Sequence, residues 1–134
     1  MNTDLLNFEI KGDERGLLIA LEGQKNIPFD IKRVFYIYGS DSSIVRGKHA
    51  NIKSKQILIA ISGECKILLD NGKERTTILL DRPEVGLYVE SNLWREMYDF
   101  SPNCVLMVLS DSYYDPAEYI REYDSFIKKV NSDV

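Results

Sequence analysis

The single histidine of this chain, His49, lies three residues after Arg46 and two residues before Asn51. Residues two apart on a strand point to the same face. If this stretch is a strand, the imidazole and the amide therefore lie side by side. Together with a nearby guanidinium, they form a set that can move protons on a polar ligand. Histidine is also often half-buried for packing reasons alone, so the spacing by itself leaves both interpretations open.

Four arginines lie within or beside aromatic-rich segments. Arginine forks suit phosphates, and aromatic faces suit bases and sugars. The alternative is that these arginines form surface ion pairs, since the chain has 21 acidic residues. The four are Arg33, near Phe35 and Tyr36, then Arg46, then Arg95, beside Trp94, and Arg121, between Tyr119 and Tyr123.

A metal centre and a nucleophilic hydrolase site both lack their sequence patterns. Metal sites in small β-barrels need several converging ligands, and His49 with Asn51 and Glu96 is a poor set. No nucleophile elbow and no glycine-rich phosphate loop is present. We therefore predict no metal ligands.

The bulk composition predicts one domain, spanning residues 1–134. A formal net charge of −4 argues against non-specific nucleic-acid binding. Cys65 and Cys104 lie in apolar runs and are expected to be buried free thiols. The polar start Met1–Asp4 does not have the pattern of a signal peptide, and the apolar stretches are shorter than a membrane span. We expect a cytoplasmic protein with no nucleic-acid or membrane partner.

The elements that must position these residues are short strands. Apolar and β-branched segments alternate with turn signals every 8–12 residues or so, which is typical of an antiparallel sandwich or barrel. Asn71-Gly72 predicts a hairpin turn, and the segment around Trp94 is expected to be a loop. Asp115 followed by Pro116 predicts the start of a C-terminal helix that runs to about Lys129.

Several motifs along the chain together resemble the dTDP-4-keto-6-deoxyglucose 3,4-ketoisomerase family, which comprises WxcM-like proteins of the cupin type. The resemblance extends from about Phe8 to Phe126. It rests on motifs at Arg33–Tyr38, Arg46–Ala50, Gly86–Val89, Trp94–Met97 and Tyr114–Tyr123.

This resemblance implies a mainly β fold, a cupin-type antiparallel jelly-roll β-barrel with a short C-terminal helix. It implies a homodimer with exchanged N-terminal strands and no metal or organic cofactor. The implied reaction converts a dTDP-linked 4-keto-6-deoxy sugar to the 3-keto isomer through an enediol. An aminotransferase usually acts next in such pathways and gives a 3-amino-3,6-dideoxy sugar.

The family usually has a His-Ala-His motif where this chain has His-Ala-Asn. The resemblance implies that His49 is the base, and Asn51 can only hydrogen-bond an enediolate oxygen. Tyr36 is the predicted carrier of the remaining proton. The alternative is a catalytically impaired homologue that binds dTDP-sugars as a regulatory module. The predicted substrate-binding residues are Arg15, Arg33, Arg46, Trp94, Arg95 and Arg121.

Overall fold

The computed structural model describes residues 3–132 of the chain. Within that range the chain forms twelve β-strands, one short 3-10 turn (Pro116–Glu118) and one α-helix. The helix is α1 (Tyr123–Ser132), and the strands are β1 (Asp4–Asn7), β2 (Lys11–Asp13), β3 (Gly16–Leu18), β4 (Arg33–Tyr38), β5 (Arg46–Asn51), β6 (Gln56–Ser62), β7 (Cys65–Asp70), β8 (Arg75–Leu80), β9 (Val85–Val89), β10 (Trp94–Tyr98), β11 (Val105–Ser110) and β12 (Tyr119–Ile120).

The strands form two five-stranded sheets and a separate β2–β3 hairpin. The first sheet has the order β1-β9-β6-β11-β4, and the second has the order β12-β5-β10-β7-β8. All neighbouring strands in both sheets are antiparallel. Consecutive strands alternate between the sheets along much of the chain. The prediction of a mainly β, cupin-type antiparallel jelly roll with a short C-terminal helix is confirmed.

Three apolar clusters hold these layers together. The central cluster joins the inner faces of the two sheets through residues such as Leu58, Ile67 and Leu106. A second cluster covers the outer face of the first sheet, where a loop carrying Ile27 packs. In the third, α1 inserts Phe126 against the outer face of the second sheet. Part of each sheet is therefore buried on both of its faces. This burial fixes the register of every central strand.

The Asn71-Gly72 turn joins β7 and β8 as predicted. Asp70 and Arg75 are paired across the hairpin, and the Asp70 carboxylate accepts a hydrogen bond from the Gly72 backbone N–H at 2.7 Å. Gly72 has a φ of +92°, and a Cβ there would lie 2.6 Å from the Val130 side chain of α1. The position thus requires glycine both for its backbone conformation and for close approach of the helix.

Two sequence predictions about elements are wrong. The segment around Trp94 is strand β10, paired on both sides, rather than a loop. The C-terminal helix begins at Tyr123, because the cap at Asp115 supports only one 3-10 turn. Tyr119 and Ile120 then pair with β5 as strand β12. Tertiary ladder bonds override the local helix signal at this point.

None of the helices among residues 3–132 has the length and apolarity required to cross a membrane.

Candidate active site

A cavity of about 210 Å³ opens between the two sheets. It receives side chains from β4, β5, β6, β10 and β11 and from the segment that starts at β12. The residues lining it are Arg33, Phe35, Ile37, Arg46, Gly47, His49, Gln56, Leu58, Arg95, Met97, Val108, Tyr119 and Arg121. Five residues singled out from the sequence therefore meet here: His49 and four arginines.

A β-bulge in β5 aims His49 at the cavity. The pairing with β10 shifts by one residue, so that Arg95 pairs with His49 but Glu96 pairs with Gly47. The extra residue, Lys48, and Gly47 both have positive φ, of 55° and 82°. Such bulges re-aim a side chain, and here the change of direction comes immediately before His49.

His49 is a half-buried, neutral imidazole. Burial, together with the Arg95 and Arg121 guanidinium groups, lowers its pKa to about 4, although hydrogen bonding with the Gly47 backbone and with Asn51 opposes this shift. The ring of Tyr119 lies against the imidazole, with 4.7 Å between ring centroids. At neutral pH the ring therefore has a free lone pair and can accept a proton.

Arg95 is a buried cation, only 1% exposed. One terminal nitrogen donates to the Gln56 side-chain carbonyl at 2.7 Å and the other to the Leu93 backbone carbonyl at 3.1 Å, while Nε has no partner. Among residues 3–132, no carboxylate forms an ion pair with Arg95. Burial lowers its pKa to about 10, so the group stays charged at pH 7. A buried charge without a counter-ion is costly, and it can stabilise negative charge that develops in the cavity.

The rim of the cavity holds two guanidinium groups on aromatic faces. Arg33 lies between the rings of Phe35 and Tyr114, at 4.5 and 4.9 Å from their centroids. Arg121 lies 4.7 Å from the centroid of Tyr119, and Arg33 also donates to the Tyr119 hydroxyl at 3.4 Å. These cation–π contacts hold each guanidinium at the rim and leave N–H groups that can bind an anionic ligand.

Four predicted site residues do not line this cavity: Tyr36, Arg15, Trp94 and Asn51. Tyr36 is 62% exposed, because strand alternation places its neighbours Phe35 and Ile37 inward. Arg15 lies at the tip of the β2–β3 hairpin and pairs with Asp13 at 2.6 Å.

Trp94 is the third of these residues. It packs beneath α1 against Tyr123 and Phe126, and its indole N–H donates to Glu96 at 2.9 Å. Its face of β10 is opposite to that of Arg95, so it supports the wall of the cavity from behind.

Asn51 lies deeper than His49, on the same face of β5, and is 1% exposed. It does not line the cavity. The amide is therefore placed behind the imidazole rather than beside it at the cavity surface.

Sequence reasoning did not single out Tyr119, Gln56 or Phe35 as site residues. The helix predicted to start at Asp115 includes Tyr119, whereas the structure places this residue on a strand, opposite Asn51. The alternation of Arg33, Phe35 and Ile37 along β4 is the signal that places Phe35 beside Arg33. Gln56 is found only through its hydrogen bond to Arg95, 39 residues away in sequence.

Comparisons with known proteins bear on the chemistry of this cavity. The family described as FdtA (WxcM-like, C-terminal) matches residues 1–131. The TDP-4-oxo-6-deoxy-alpha-D-glucose-3,4-oxoisomerase of Aneurinibacillus thermoaerophilus is 48% identical over 130 residues, covering 97% of this chain and 94% of the relative.

Solved structures of a 3,4-ketoisomerase are also similar to this chain. The 3,4-ketoisomerase QdtA of Thermoanaerobacterium thermosaccharolyticum, in complex with TDP, superimposes with a TM-score of 0.95 at 45% identity, covering 98% of this chain and 96% of QdtA. A variant of the same enzyme in complex with TDP-4-keto-6-deoxyglucose also has a TM-score of 0.95, at 44% identity and with 98% and 95% of the two chains covered.

Proposed function

This chain belongs to the FdtA (WxcM-like, C-terminal) family, and from that premise we propose that it is an isomerase acting on a TDP-linked 4-keto-6-deoxyhexose. The reaction moves the ketone from C4 to C3. The product then offers a C3 ketone to an aminotransferase. The observation that carries the proposal is a neutral, half-buried imidazole beside a buried, unpaired guanidinium in one cavity.

His49 is the proposed base. The C3 proton is acidic because the neighbouring C4 is a ketone, and the lone pair of the imidazole takes that proton. The C3–H electrons form the C3=C4 double bond, and the C4 oxygen becomes an oxyanion. Arg95, which forms no direct ion pair, is placed to stabilise this oxyanion, with Arg46 as a second cation at the cavity.

The second half of the reaction moves a proton from the C3 oxygen to the C4 oxygen and returns one proton to C4. The protonated His49 supplies the C4 proton, and collapse of the C3 enolate gives the 3-ketone. Asn51 cannot give and take a proton as a histidine can. The ring of Tyr119 lies at the cavity and that of Tyr36 on the outer face, so we assign the transfer between oxygens to Tyr119 rather than Tyr36.

The TDP moiety is proposed to bind at the rim. Arg33 and Arg121 lie over aromatic rings and can hold the pyrophosphate, while exposed aromatic faces suit the base. Trp94 contributes by supporting the wall under Arg95. The neutral base and the free cation also favour the enzyme over a binding module that has lost catalysis.

We further propose a homodimer built through the N-terminal strands. The β2–β3 hairpin carries Leu17, 80% exposed, and Leu18, 57% exposed. The outer face of β4 presents a second exposed apolar row that includes Tyr36 and Tyr38. Arg15 is on the same hairpin. In the proposed dimer, any contact between Arg15 and the substrate would therefore be made across the interface between the two subunits. The cytoplasmic location stays a prediction from the sequence.

The test is to incubate the protein with TDP-4-keto-6-deoxyglucose and follow the quenched mixture by ¹H NMR, with a 3-aminotransferase added in a parallel sample. We expect the 3-keto isomer in the first sample and an amino sugar in the second. His49→Asn should abolish both and leave TDP binding largely intact. Lys48→Asn is the matched control, because Lys48 is the exposed neighbour and its positive φ suits asparagine.

Two results would overturn the proposal. Tight TDP binding by the wild-type protein without any isomerised sugar would identify a binding module. Normal turnover by His49→Asn would show that another group is the base.

A further inference from the structure

Gln56 is a buried amide that the mechanism above does not use. It is 3% exposed and begins β6, the middle strand of the first sheet. Further along this strand Leu58 belongs to the central cluster, whereas Ile57 and Ile59 belong to the cluster on the outer face. Because side chains alternate along a strand, the Gln56 side chain points inward, and it lines the cavity between the sheets.

The orientation of this amide is set by Arg95. The Gln56 Oε1 atom accepts a hydrogen bond from Nη1 of Arg95 at 2.7 Å, and this bond joins the first sheet to the second. A guanidinium group has only N–H donors, so the oxygen of the amide must face it. The NH₂ group of Gln56 is therefore on the side away from this bond. A hydrogen bond from a charged donor also holds the amide more firmly than a neutral one would.

The NH₂ group of Gln56 has no partner within the protein. It donates no hydrogen bond to any residue in the range 3–132, yet it is not enclosed in the way that Nε of Arg95 is. Since the residue as a whole is buried and lines the cavity, the cavity is the space that its NH₂ group reaches. Buried donors are normally hydrogen-bonded, so the chemistry of this position calls for an oxygen acceptor supplied from the cavity.

The neighbours of the amide identify this acceptor. Arg95 is paired with His49 across β10 and β5, so the base, the cation and the amide follow one another along the cavity wall. Each terminal nitrogen of Arg95 has two hydrogens, and one on each is used within the protein. The second N–H of Nη1 is therefore beside the amide. A cationic donor next to a neutral donor forms a site for one oxygen that gains negative charge.

We infer that Gln56 is a catalytic residue whose NH₂ group donates a hydrogen bond to the C4 oxygen of the keto sugar, beside Arg95. The inference rests on the proposed function, in which this oxygen becomes an oxyanion as His49 takes the C3 proton. An enolate oxygen is a stronger acceptor than a ketone oxygen, so the hydrogen bond strengthens as the proton leaves. No proton moves to or from the amide. An interaction that is stronger in the transition state raises kcat with little effect on KM.

Gln56→Met tests this role, because it removes the amide and nearly preserves the volume of the side chain. We expect kcat to fall about 100-fold, as is typical when one oxyanion donor is removed, with KM nearly unchanged. The measurement is the ¹H NMR assay with TDP-4-keto-6-deoxyglucose. The affinity for TDP, measured by calorimetry, should stay at the wild-type value, because the variant leaves Arg33 and Arg121 at the rim unchanged.

Ser110→Ala is the matched control. Ser110 is directly paired with Gln56 across β11 and β6, is 1% exposed, and does not line the cavity. Its hydroxyl donates to the Ser112 backbone carbonyl at 3.1 Å. The control therefore disturbs the same part of the sheet, and we expect a lower melting temperature with wild-type kcat. A fall in kcat as large as that of Gln56→Met would show that the effect comes from packing, and the inference would be overturned.

A double-mutant cycle separates direct contact with substrate from an effect through Arg95. Arg95→Gln still offers an N–H donor to the Gln56 oxygen, so the amide stays held. If Gln56 donates to the substrate itself, adding Gln56→Met to Arg95→Gln should lower kcat further, by about tenfold or more. If Gln56 only orients Arg95, the double variant should have the kcat of Arg95→Gln. That second result overturns the inference and leaves Gln56 as a positioning residue.

Wild-type kcat in Gln56→Met would also overturn the inference. If Gln56→Met does not fold, Gln56→Glu takes its place, because beside Arg95 the new carboxylate stays ionised and accepts the same hydrogen bond but has no donor. It should lower kcat at least as strongly, and an unchanged kcat is again a refutation. A wild-type protein that does not isomerise the sugar refutes the proposed function, whereas an active wild type with an equally active Gln56→Met refutes the inference alone.

Discussion

The low pKa of His49 predicts an unusual pH dependence of activity. A base of pKa 6.5 would be only about 3% deprotonated at pH 5, whereas a base with a pKa of about 4 is about 90% deprotonated there. The kcat/KM should thus stay nearly constant from pH 8 to pH 5 and reach half its maximum near pH 4. At pH 5 the two cases differ about 30-fold in the fraction of active base.

The assay is a fixed-time reaction with TDP-4-keto-6-deoxyglucose, quenched and analysed by ¹H NMR, at substrate concentrations well below KM. Such profiles report groups of the free enzyme. Each pH sample is returned to pH 7 and assayed again, which separates reversible protonation from unfolding. A half-maximum between pH 6 and pH 7 would refute the conclusion that burial and Arg95 keep His49 neutral.

The same shift has a consequence for stability. The pKa of His49 is lower in the folded protein than in the unfolded chain, so the unfolded chain binds this proton first as the pH falls. Stability that is complete above pH 6.5 should be lost progressively as the pH falls to about 4, by about 3 kcal/mol in total. Urea unfolding of wild type and His49→Asn across this range isolates the contribution, and equal pH slopes for the two proteins would contradict it.

Four substitutions give further predictions. Tyr119→Phe should reduce kcat, measured by the ¹H NMR assay, more than Tyr36→Phe does, because only the first ring lines the cavity; the reverse order would restore Tyr36 as the proton carrier. Arg95→Gln should lower kcat about 100-fold, because it removes the oxyanion partner. It should also move the acidic limb of the pH profile to higher pH, because it removes a cation that lowers the pKa of His49. An unchanged kcat would exclude Arg95 from the reaction. Asn51→His should raise kcat several-fold, since imidazole can exchange protons where an amide cannot, and a slower enzyme would indicate that the site is built around asparagine. Gly47→Ala should lower the free energy of unfolding by about 1–3 kcal/mol in urea titrations, because φ is +82° and the new Cβ would lie 3.0 Å from the Arg95 carbonyl oxygen; wild-type stability would mean that the bulge relaxes freely.

Local sequence patterns predicted the elements where the backbone signal and the burial pattern agree. The Asn71-Gly72 hairpin and the buried strand β6 are such cases, since the turn conformation and the apolar run are both local properties. The local patterns failed at β10 and β12. Trp94 and Arg95 look like loop residues because one is polar and the preceding residues are turn formers, yet both are buried by partners from distant strands.

The chemical identity of the site came largely from the sequence. The single histidine, the spacing to Asn51, the arginines and the motifs spread over many strands were sufficient to place the chain in its family and to nominate His49. Those features are residue types and spacings, which a sequence states directly.

Only the tertiary structure decided which residues meet. It placed Tyr119 rather than Tyr36 against the imidazole and paired buried Arg95 with Gln56. The physical reason is that a side chain's face, burial and pKa depend on strands that pair across large separations in sequence. They also depend on the β-bulge at Gly47 and Lys48, which sets the direction of the His49 side chain. The proton chemistry of His49 depends on those neighbours, and the sequence alone does not specify them.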